Sequence, residues 1–222
     1  MNNLDGILSL LIACIEIVLL INLLIFTDKN KENNLIYIII TLLAVYQLFE
    51  FLMCSLGMKS SAMAYLAFID ISFLPPLNFI FVFSFLKIES SIKNLIFLPA
   101  LFFVVYYSFI IEKFSVVKCT VLYATYSYPL GTLYGLFYYL PLFITFVLMY
   151  RKFRSKEVQT GNPLKILIIG HYFIIIPVVA SFILFLLNLP GLVNSIESIL
   201  CKFAFGYAIS SSFFALNNKS KL

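Results

Sequence analysis

Charged residues are scarce in this chain of 222 residues, and their scarcity excludes a soluble globular domain. Asp, Glu, Lys and Arg together make up 11% of the residues, whereas a soluble domain has about 25%. Tryptophan is absent altogether. Apolar residues make up 63% of the chain, so the few charges cannot cover a surface that faces water on all sides. The sequence therefore predicts an integral membrane protein.

Histidine and closely spaced cysteines are also lacking. The single histidine, His171, leaves little material for a histidine-rich metal site or a Ser/His/Asp triad. The four cysteines show no CxxC spacing, so neither a zinc site nor a disulfide framework is expected. They are Cys14, Cys54, Cys119 and Cys201. We therefore expect no catalytic residues, no metal ligands and no enzymatic activity in this chain.

Seven apolar stretches are long enough to be membrane-spanning helices. The hydrocarbon core of a bilayer is about 30 Å thick and needs about 20 apolar residues in a helix. The predicted spans are roughly 7–27, 35–57, 64–86, 95–111, 132–150, 164–187 and 193–216. The fourth is the shortest, and the first lacks the basic flank of a cleavable signal peptide. The expected fold is one all-α domain over residues 1–222, a seven-transmembrane-helix bundle.

Basic residues are concentrated in alternate connections between these spans. Three Lys residues lie in the even-numbered connections, whereas eleven Lys and Arg residues lie in the odd-numbered connections and the C-terminal tail. The eleven are Lys29, Lys31, Lys87, Lys93, Arg151, Lys152, Arg154, Lys156, Lys165, Lys219 and Lys221. By the positive-inside rule, the N-terminus is outside and the C-terminus is cytoplasmic. The positive charge thus sets orientation, which disfavours a nucleic-acid partner.

Six ionisable side chains fall inside the predicted spans. They are Glu16, Glu50, Asp70, His171, Glu197 and Lys202. At a rise of about 1.5 Å per residue, all except His171 lie in the outer half or at the midplane. Each such group costs about 2.5–3.5 kcal/mol unless it is paired, protonated or hydrated. We interpret the five as lining an outward-facing polar cavity that binds a ligand, with a structural ion pair as the alternative.

Partners for two of these groups follow from their positions. Lys202 is expected to be countered by a carboxylate, and the candidates are Asp70, Glu197 and Glu50. His171 lies nearer the cytoplasmic side, where a single histidine typically donates a hydrogen bond to a neighbouring carbonyl. A proton relay through His171 is the alternative interpretation.

Two consecutive prolines, Pro75 and Pro76, interrupt the third predicted span. Proline removes a backbone donor and clashes with the preceding turn, which predicts a kink near Ser72–Phe73. A kink at this depth is interpreted as a hinge, and plain packing geometry is the alternative.

Several strings resemble the seven-helix N-terminal sensor region of bacterial histidine kinases. Ile71-Ser-Phe-Leu-Pro-Pro-Leu-Asn78 is similar to the third helix of that region, and Tyr128-Pro-Leu-Gly-Thr-Leu-Tyr134 is similar to the entry to its fifth helix. The resemblance implies a sensor in a bacterial plasma membrane that takes part in signal transduction. It departs from the family after the last helix, where only residues 217–222 follow. The chain is then expected to signal through a separate cytoplasmic or membrane protein.

A second resemblance is to microbial rhodopsins. Asp70 followed by Pro76, together with Lys202-Phe-Ala-Phe-Gly206, is similar to their layout, which implies a retinal Schiff base on Lys202 with Asp70 as counterion. The positions where that family's bulky rings would be sought hold Ile71, Phe173 and Ala180. A small transporter or an accessory membrane subunit is a further alternative.

The leading hypothesis is a stand-alone, non-enzymatic sensor or receptor-like module of the plasma membrane without an output domain. Its expected ligand-binding residues are Asp70, Lys202, Glu50, Glu197 and Glu16, and its expected hinge residues are Pro75 and Pro76. No cofactor is expected, with retinal as the alternative. The expected partners are the lipid bilayer and a signalling protein that contacts the basic connection 151–165, and a second copy of the chain is left open.

Overall fold

Long apolar helices form most of this protein. The computed structural model describes residues 5–90, 93–155, 161–188 and 190–218. The helices are α1 Ile7–Phe26, α2 Lys31–Cys54, α3 Ser61–Ser72, α4 Leu74–Phe85, α5 Leu98–Ser108, α6 Gly131–Arg154, α7 Gly161–Leu186 and α8 Pro190–Asn217. Short 3₁₀ helices cover Lys93–Phe97 and Ile111–Lys113, and two strands are β1 Ser115–Cys119 and β2 Ala124–Ser127.

Within the described residues, six helical segments are long and apolar enough to cross a membrane. They are Ile7–Phe26, Lys31–Cys54, Ser61–Phe85, Gly131–Arg154, Pro163–Leu186 and Ile199–Asn217. A shorter apolar helical segment, Lys93–Ser108, stands where the fourth span was predicted. The prediction of a multi-pass helical membrane protein is confirmed.

The bundle is helical as predicted, and one described connection departs from helical structure. The connection between α5 and α6, which lies between two predicted spans, contains the antiparallel hairpin β1–β2, with Ser115 paired to Ser127 and Cys119 paired to Ala124. The β-branched residues Val116 and Val117 suit a strand. The Thr120 hydroxyl donates to the Tyr123 carbonyl at 2.9 Å and closes the turn.

The predicted interruption of the third span is confirmed. α3 ends at Ser72 and α4 begins at Leu74, with Phe73 between them. Pro75 and Pro76 occupy the first turn of α4, where a missing backbone N–H costs least. The prolines therefore break one predicted span into two packed helices.

One end of the bundle, hereafter the hairpin end, is held together by the hairpin. A disulfide joins Cys54, at the end of α2, to Cys119 in β1. The Gly6 amide, just before α1, donates to the Thr120 carbonyl at 3.1 Å. The expectation that the cysteines form no disulfide is therefore wrong. Two cysteines 65 residues apart become neighbours only when the chain is folded, and no local spacing reveals that.

The other end, hereafter the basic end, is joined by side-chain hydrogen bonds. The Ser84 hydroxyl of α4 donates to the Glu32 carboxylate of α2 at 2.7 Å. The Asn218 side chain, just after α8, donates to Asn33 at 3.3 Å. The start of α2, the end of α4 and the end of α8 therefore lie together, away from the hairpin.

The two last helices, α7 and α8, pack closely against each other. A Cβ added to Gly170 of α7 would lie 2.7 Å from the Ser210 Cβ of α8. A Cβ added to Gly206 of α8 would lie 2.7 Å from the Phe173 ring. Small residues at such contacts allow helices in a membrane to approach closely. The backbones of α7 and α8 therefore pack directly against each other.

This contact yields a stability prediction. Gly170→Ala should destabilise the protein by about 1–3 kcal/mol, because the added methyl group overlaps Ser210. Denaturant unfolding of the purified protein in detergent measures the change. Gly170→Ala combined with Ser210→Gly should recover part of the loss, since the overlapping atom is removed. A Gly170→Ala protein as stable as the original would contradict the packing described.

Candidate functional site

The Lys202 ammonium lies at the centre of a buried polar cluster near the hairpin end. Its Nζ donates to Ser9 Oγ at 2.8 Å, Gln47 Oε1 at 2.5 Å and Glu50 Oε2 at 2.9 Å. An ammonium group has three donors, and all three are used here. A residue of α8 is thereby bonded to one residue of α1 and two of α2. We call Ser9, Glu16, Gln47, Glu50 and Lys202 the lysine cluster.

The ion pair in this cluster is removed from solvent. The side chains of Lys202 and Glu50 are 9% and 1% exposed. Separating two charges from water is costly, and only good geometry with further hydrogen bonds compensates for it. Those hydrogen bonds are present, because Gln47 also donates to the Cys201 carbonyl at 3.1 Å and is thereby held in place. The Lys202 counterion is Glu50, one of the three carboxylates that the sequence offered.

The hairpin lies against the lysine cluster. Ala124 and Tyr126 of β2 are next to Glu50, and β2 packs against α8. Burial, and to a smaller degree the negative charge of Glu50, raise the pKa of the Tyr126 hydroxyl, which stays protonated. Ser9, Gln47 and Glu50 are all buried. The outward opening predicted for these residues is therefore not seen in the described structure; the cluster is closed.

Glu16 is the buried carboxyl without a hydrogen bond of its own. It is 0% exposed, and within the described residues neither of its oxygens has a hydrogen-bond partner. It interacts electrostatically with Lys202. Glu16 lies seven residues after Ser9, two helical turns deeper on the same face of α1. The sequence placed Glu16 among the site residues, and the structure brings it to the lysine cluster.

Asp70 does not join the ion pair. Among the described residues, the hydrogen-bond acceptors for Lys202 come from α1 and α2, and Asp70 lies on α3. It is 8% exposed, and its Oδ2 has no partner in the described part of the chain. Of the alternative counterions, the structure therefore pairs Glu50 and not Asp70 with Lys202. The side chain of Glu197, the third candidate, lies outside the described residues.

A second buried polar cluster, which the sequence reasoning missed, joins α4, α6, α7 and α8. The Asn78 amide donates to Thr145 Oγ1 and to His171 Nε2, each at 3.2 Å, and accepts from the Tyr207 hydroxyl at 2.6 Å. His171 Nδ1 donates to the Leu167 carbonyl at 3.0 Å, as predicted. Nε2 is then left as an acceptor, so these contacts describe a neutral imidazole. In the sequence, this cluster could have been found from Asn78, a polar residue within an apolar predicted span.

The helix break opens onto a groove. The groove measures about 270 Å³, its open mouth included, and is lined by residues of α3, α4, α5 and α6 and by the 3₁₀ segment before α5. Ser72, Pro75 and Pro76 form one side, and Tyr134 and Tyr138 face them. The Ser72 and Tyr134 hydroxyls are 3.0 Å apart and hydrogen-bonded. The predicted hinge residues therefore line this groove, although Ser72, Pro75 and Pro76 are themselves buried.

No family model, curated protein or solved structure matches this chain. The resemblances to histidine kinase sensor regions and to microbial rhodopsins remain predictions.

The ion pair gives a second prediction. Lys202→Met should cost about 3–5 kcal/mol of unfolding free energy, because Glu50 is left buried without a counter-charge. Lys202→Met combined with Glu50→Met should recover most of that loss, since both charges are gone. Denaturant unfolding in detergent measures both. Lys59→Met, at an exposed lysine, is the control and should change stability by less than about 0.5 kcal/mol. Losses that simply add in the double variant would contradict a coupled pair.

The disulfide gives a third prediction. Replacing Cys54 and Cys119 by Ala should lower stability by about 2–4 kcal/mol, because a link across 65 residues no longer restricts the unfolded chain. Thermal unfolding with and without reductant measures this, and reductant should affect only the protein that retains both cysteines. Cys14→Ala removes an exposed free cysteine and serves as the control. Identical electrophoretic mobility of the reduced and non-reduced wild-type protein would exclude the disulfide.

Proposed function

We propose that this protein is a non-enzymatic, receptor-like membrane module that responds at its hairpin end and signals to a separate protein at its basic end. The proposal includes seven membrane passes, with the N-terminus outside and the C-terminus in the cytoplasm of a bacterial cell. The observation that carries it is the Lys202–Glu50 ion pair, closed beneath a hairpin that a disulfide attaches to the bundle.

The contacts at the two ends support seven passes. Ser84 precedes the short segment 93–108 and lies at the basic end, whereas Cys119 follows the segment and lies at the hairpin end. Five 3₁₀ residues at about 2.0 Å and eleven α-helical residues at about 1.5 Å extend about 26 Å. This length nearly equals the hydrocarbon thickness. The 3₁₀ turns thus let a segment with few residues reach from one end to the other.

Charge and cysteine chemistry support the orientation. Lys29 and Lys31 lie beside Asn33 at the basic end, and Lys87 follows α4 there. Basic residues favour the cytoplasmic side. Disulfides persist in oxidising compartments such as the cell surface and the periplasm, which suits an external location for Cys54 and Cys119. Both criteria favour the same orientation.

The arrangement of the lysine cluster supports a role in responding to a ligand that binds at the hairpin end. Intramembrane charges are costly, and they commonly mark functional sites. Lys202 connects α8 to α1 and α2, and the hairpin packs against α8 and is joined to α2 by the disulfide. A ligand that binds one position of the hairpin better than another shifts the population of both positions. Movement of the hairpin would therefore alter the ion pair, and with it the packing of α2 and α8.

The helix break supports transmission to the basic end. α3 begins near the hairpin end, α4 ends at the basic end, and Phe73 separates them. α4 packs against α2, which carries Glu50. Because α2 packs against both α3 and α4, a shift of α2 can reach the basic end through α4. Exposed Arg151 and Arg154 at the end of α6 provide a basic surface for an acidic partner protein.

A retinal-binding protein is the second candidate, and one observation favours it. Lys202 lies in the last helix with a carboxylate 2.9 Å away, the arrangement that a protonated Schiff base requires. Its counterion would be Glu50 instead of Asp70. Against this candidate, all three ammonium protons are already hydrogen-bonded, so that the free amine is not available for reaction.

The receptor proposal predicts coupling between the two ends. A cysteine placed at exposed Lys87, after α4, should react several-fold faster or slower with a polar maleimide when Lys202→Met disrupts the ion pair. The change should disappear when Pro75 and Pro76 are both replaced by Ala, because a continuous helix removes the hinge. A cysteine at exposed Lys29 is the control for general loosening, and its rate should stay constant.

Two outcomes would contradict the receptor proposal. The first is an unchanged rate at Lys87→Cys in the Lys202→Met protein. The second is a red-shifted absorption band when the purified protein is mixed with all-trans retinal, provided that Lys202→Ala abolishes the band. That result would establish the retinal-binding alternative.

A further inference from the structure

The unused hydrogen-bonding capacity of the lysine cluster lies on carboxyl oxygens. Lys202 has no donor left, since its three protons are bonded. Within the described residues, both oxygens of Glu16 and the Oε1 of Glu50 have no hydrogen-bond partner. Buried polar atoms are rarely left unsatisfied, least of all where a membrane excludes water. The cluster is therefore suited to a donor or a cation and not to an anion.

The charges of the cluster also do not balance. α1 packs against α2 and α8. In this region α2 contributes Glu50, α8 contributes Lys202 with the Cys201 thiol beside it, and α1 contributes Glu16. Among the described side chains of these three helices in this region, two ionised carboxylates and one ammonium leave one positive charge missing. An unbalanced charge is strongly disfavoured in the hydrocarbon region, so one positive charge should be taken up from outside the chain.

The missing positive charge can be a proton, a divalent ion or a monovalent metal cation, and the geometry of the cluster distinguishes these three. A proton on Glu16 would neutralise its charge, but the second Glu16 oxygen would still lack a hydrogen-bond donor. A divalent ion such as Ca²⁺ takes six to eight oxygen ligands, and no group of three acidic, cysteine or histidine side chains able to hold a metal occurs in the described structure. A monovalent metal cation both balances the charge and engages the two Glu16 oxygens.

We propose that Glu16 binds one monovalent metal cation beside the Lys202–Glu50 ion pair, with Na⁺ as the ion to test. The carboxylate is a hard oxygen ligand and suits a hard cation. This site goes beyond the receptor proposal and does not depend on it, because it follows from the charges and unused acceptors of the cluster alone. The maleimide experiment and the binding experiment can therefore fail separately.

Equilibrium binding of radioactive Na⁺ to the full-length protein in detergent tests the site directly. We expect one bound Na⁺ per chain, displaced by unlabelled NaCl and not by choline chloride at the same ionic strength. Glu16→Gln should weaken binding at least tenfold, since an amide keeps the shape of the side chain without its charge. Glu112→Gln, at an exposed glutamate of the outer connection, should bind as the original protein does.

A stability measurement complements the binding experiment. Saturating Na⁺ should raise the midpoint of thermal unfolding by about 5 °C relative to choline, because an ion that binds only the folded state stabilises it. Three results would overturn the proposal: no specific Na⁺ binding to the wild-type protein, equal binding by a folded Glu16→Gln protein, or a midpoint that responds to pH but not to Na⁺. The last would show that a proton alone supplies the charge. The wild-type measurements decide the matter even if Glu16→Gln fails to fold.

Discussion

The need to neutralise one buried ammonium group organises the hairpin end of this protein. Lys202 lies deep in α8, and no water is present in the hydrocarbon region to solvate it. Its three protons are satisfied by Ser9 of α1 and by Gln47 and Glu50 of α2. These bonds fix how three helices approach one another. The hairpin completes the enclosure, and its disulfide to Cys54 attaches it one turn beyond Glu50.

The second polar cluster meets the same constraint without charge. Asn78 uses its amide to join Thr145, His171 and Tyr207, and every contact pairs a donor with an acceptor. Such a network can hold helices together with no net charge to compensate. The lysine cluster differs because Glu16 leaves it one positive charge short. The protein thus has a satisfied polar cluster nearer its middle and an incompletely satisfied one beneath the hairpin, which is why we place function at the latter.

The features predicted correctly from the sequence are those that depend on local chemistry. Long apolar stretches produce helices wherever they occur, and Pro75 and Pro76 interrupt a helix whatever surrounds them. The donation from His171 to Leu167 is likewise a contact across one helical turn. The hairpin was not predicted because β-branched residues such as Val116 and Val117, in a connection between spans, do not by themselves indicate which strand they pair with. The segment Lys93–Ser108 begins with 3₁₀ turns, which the sequence did not reveal because hydropathy does not distinguish 3₁₀ from α-helical turns.

The sequence by itself determined that the chain is a multi-pass membrane protein, where its helices break, and which few residues carry charge into the bundle. Only the tertiary structure decided how those charges are paired. Asp70 and Glu50 have similar predicted depths, but Glu50 lies 152 residues from Lys202 and is bonded to it, whereas Asp70 is not. The same holds for Cys54 and Cys119. Depth in a membrane follows from position along one helix, but pairing depends on which helix faces which neighbour, and that is set by the packing of the whole bundle.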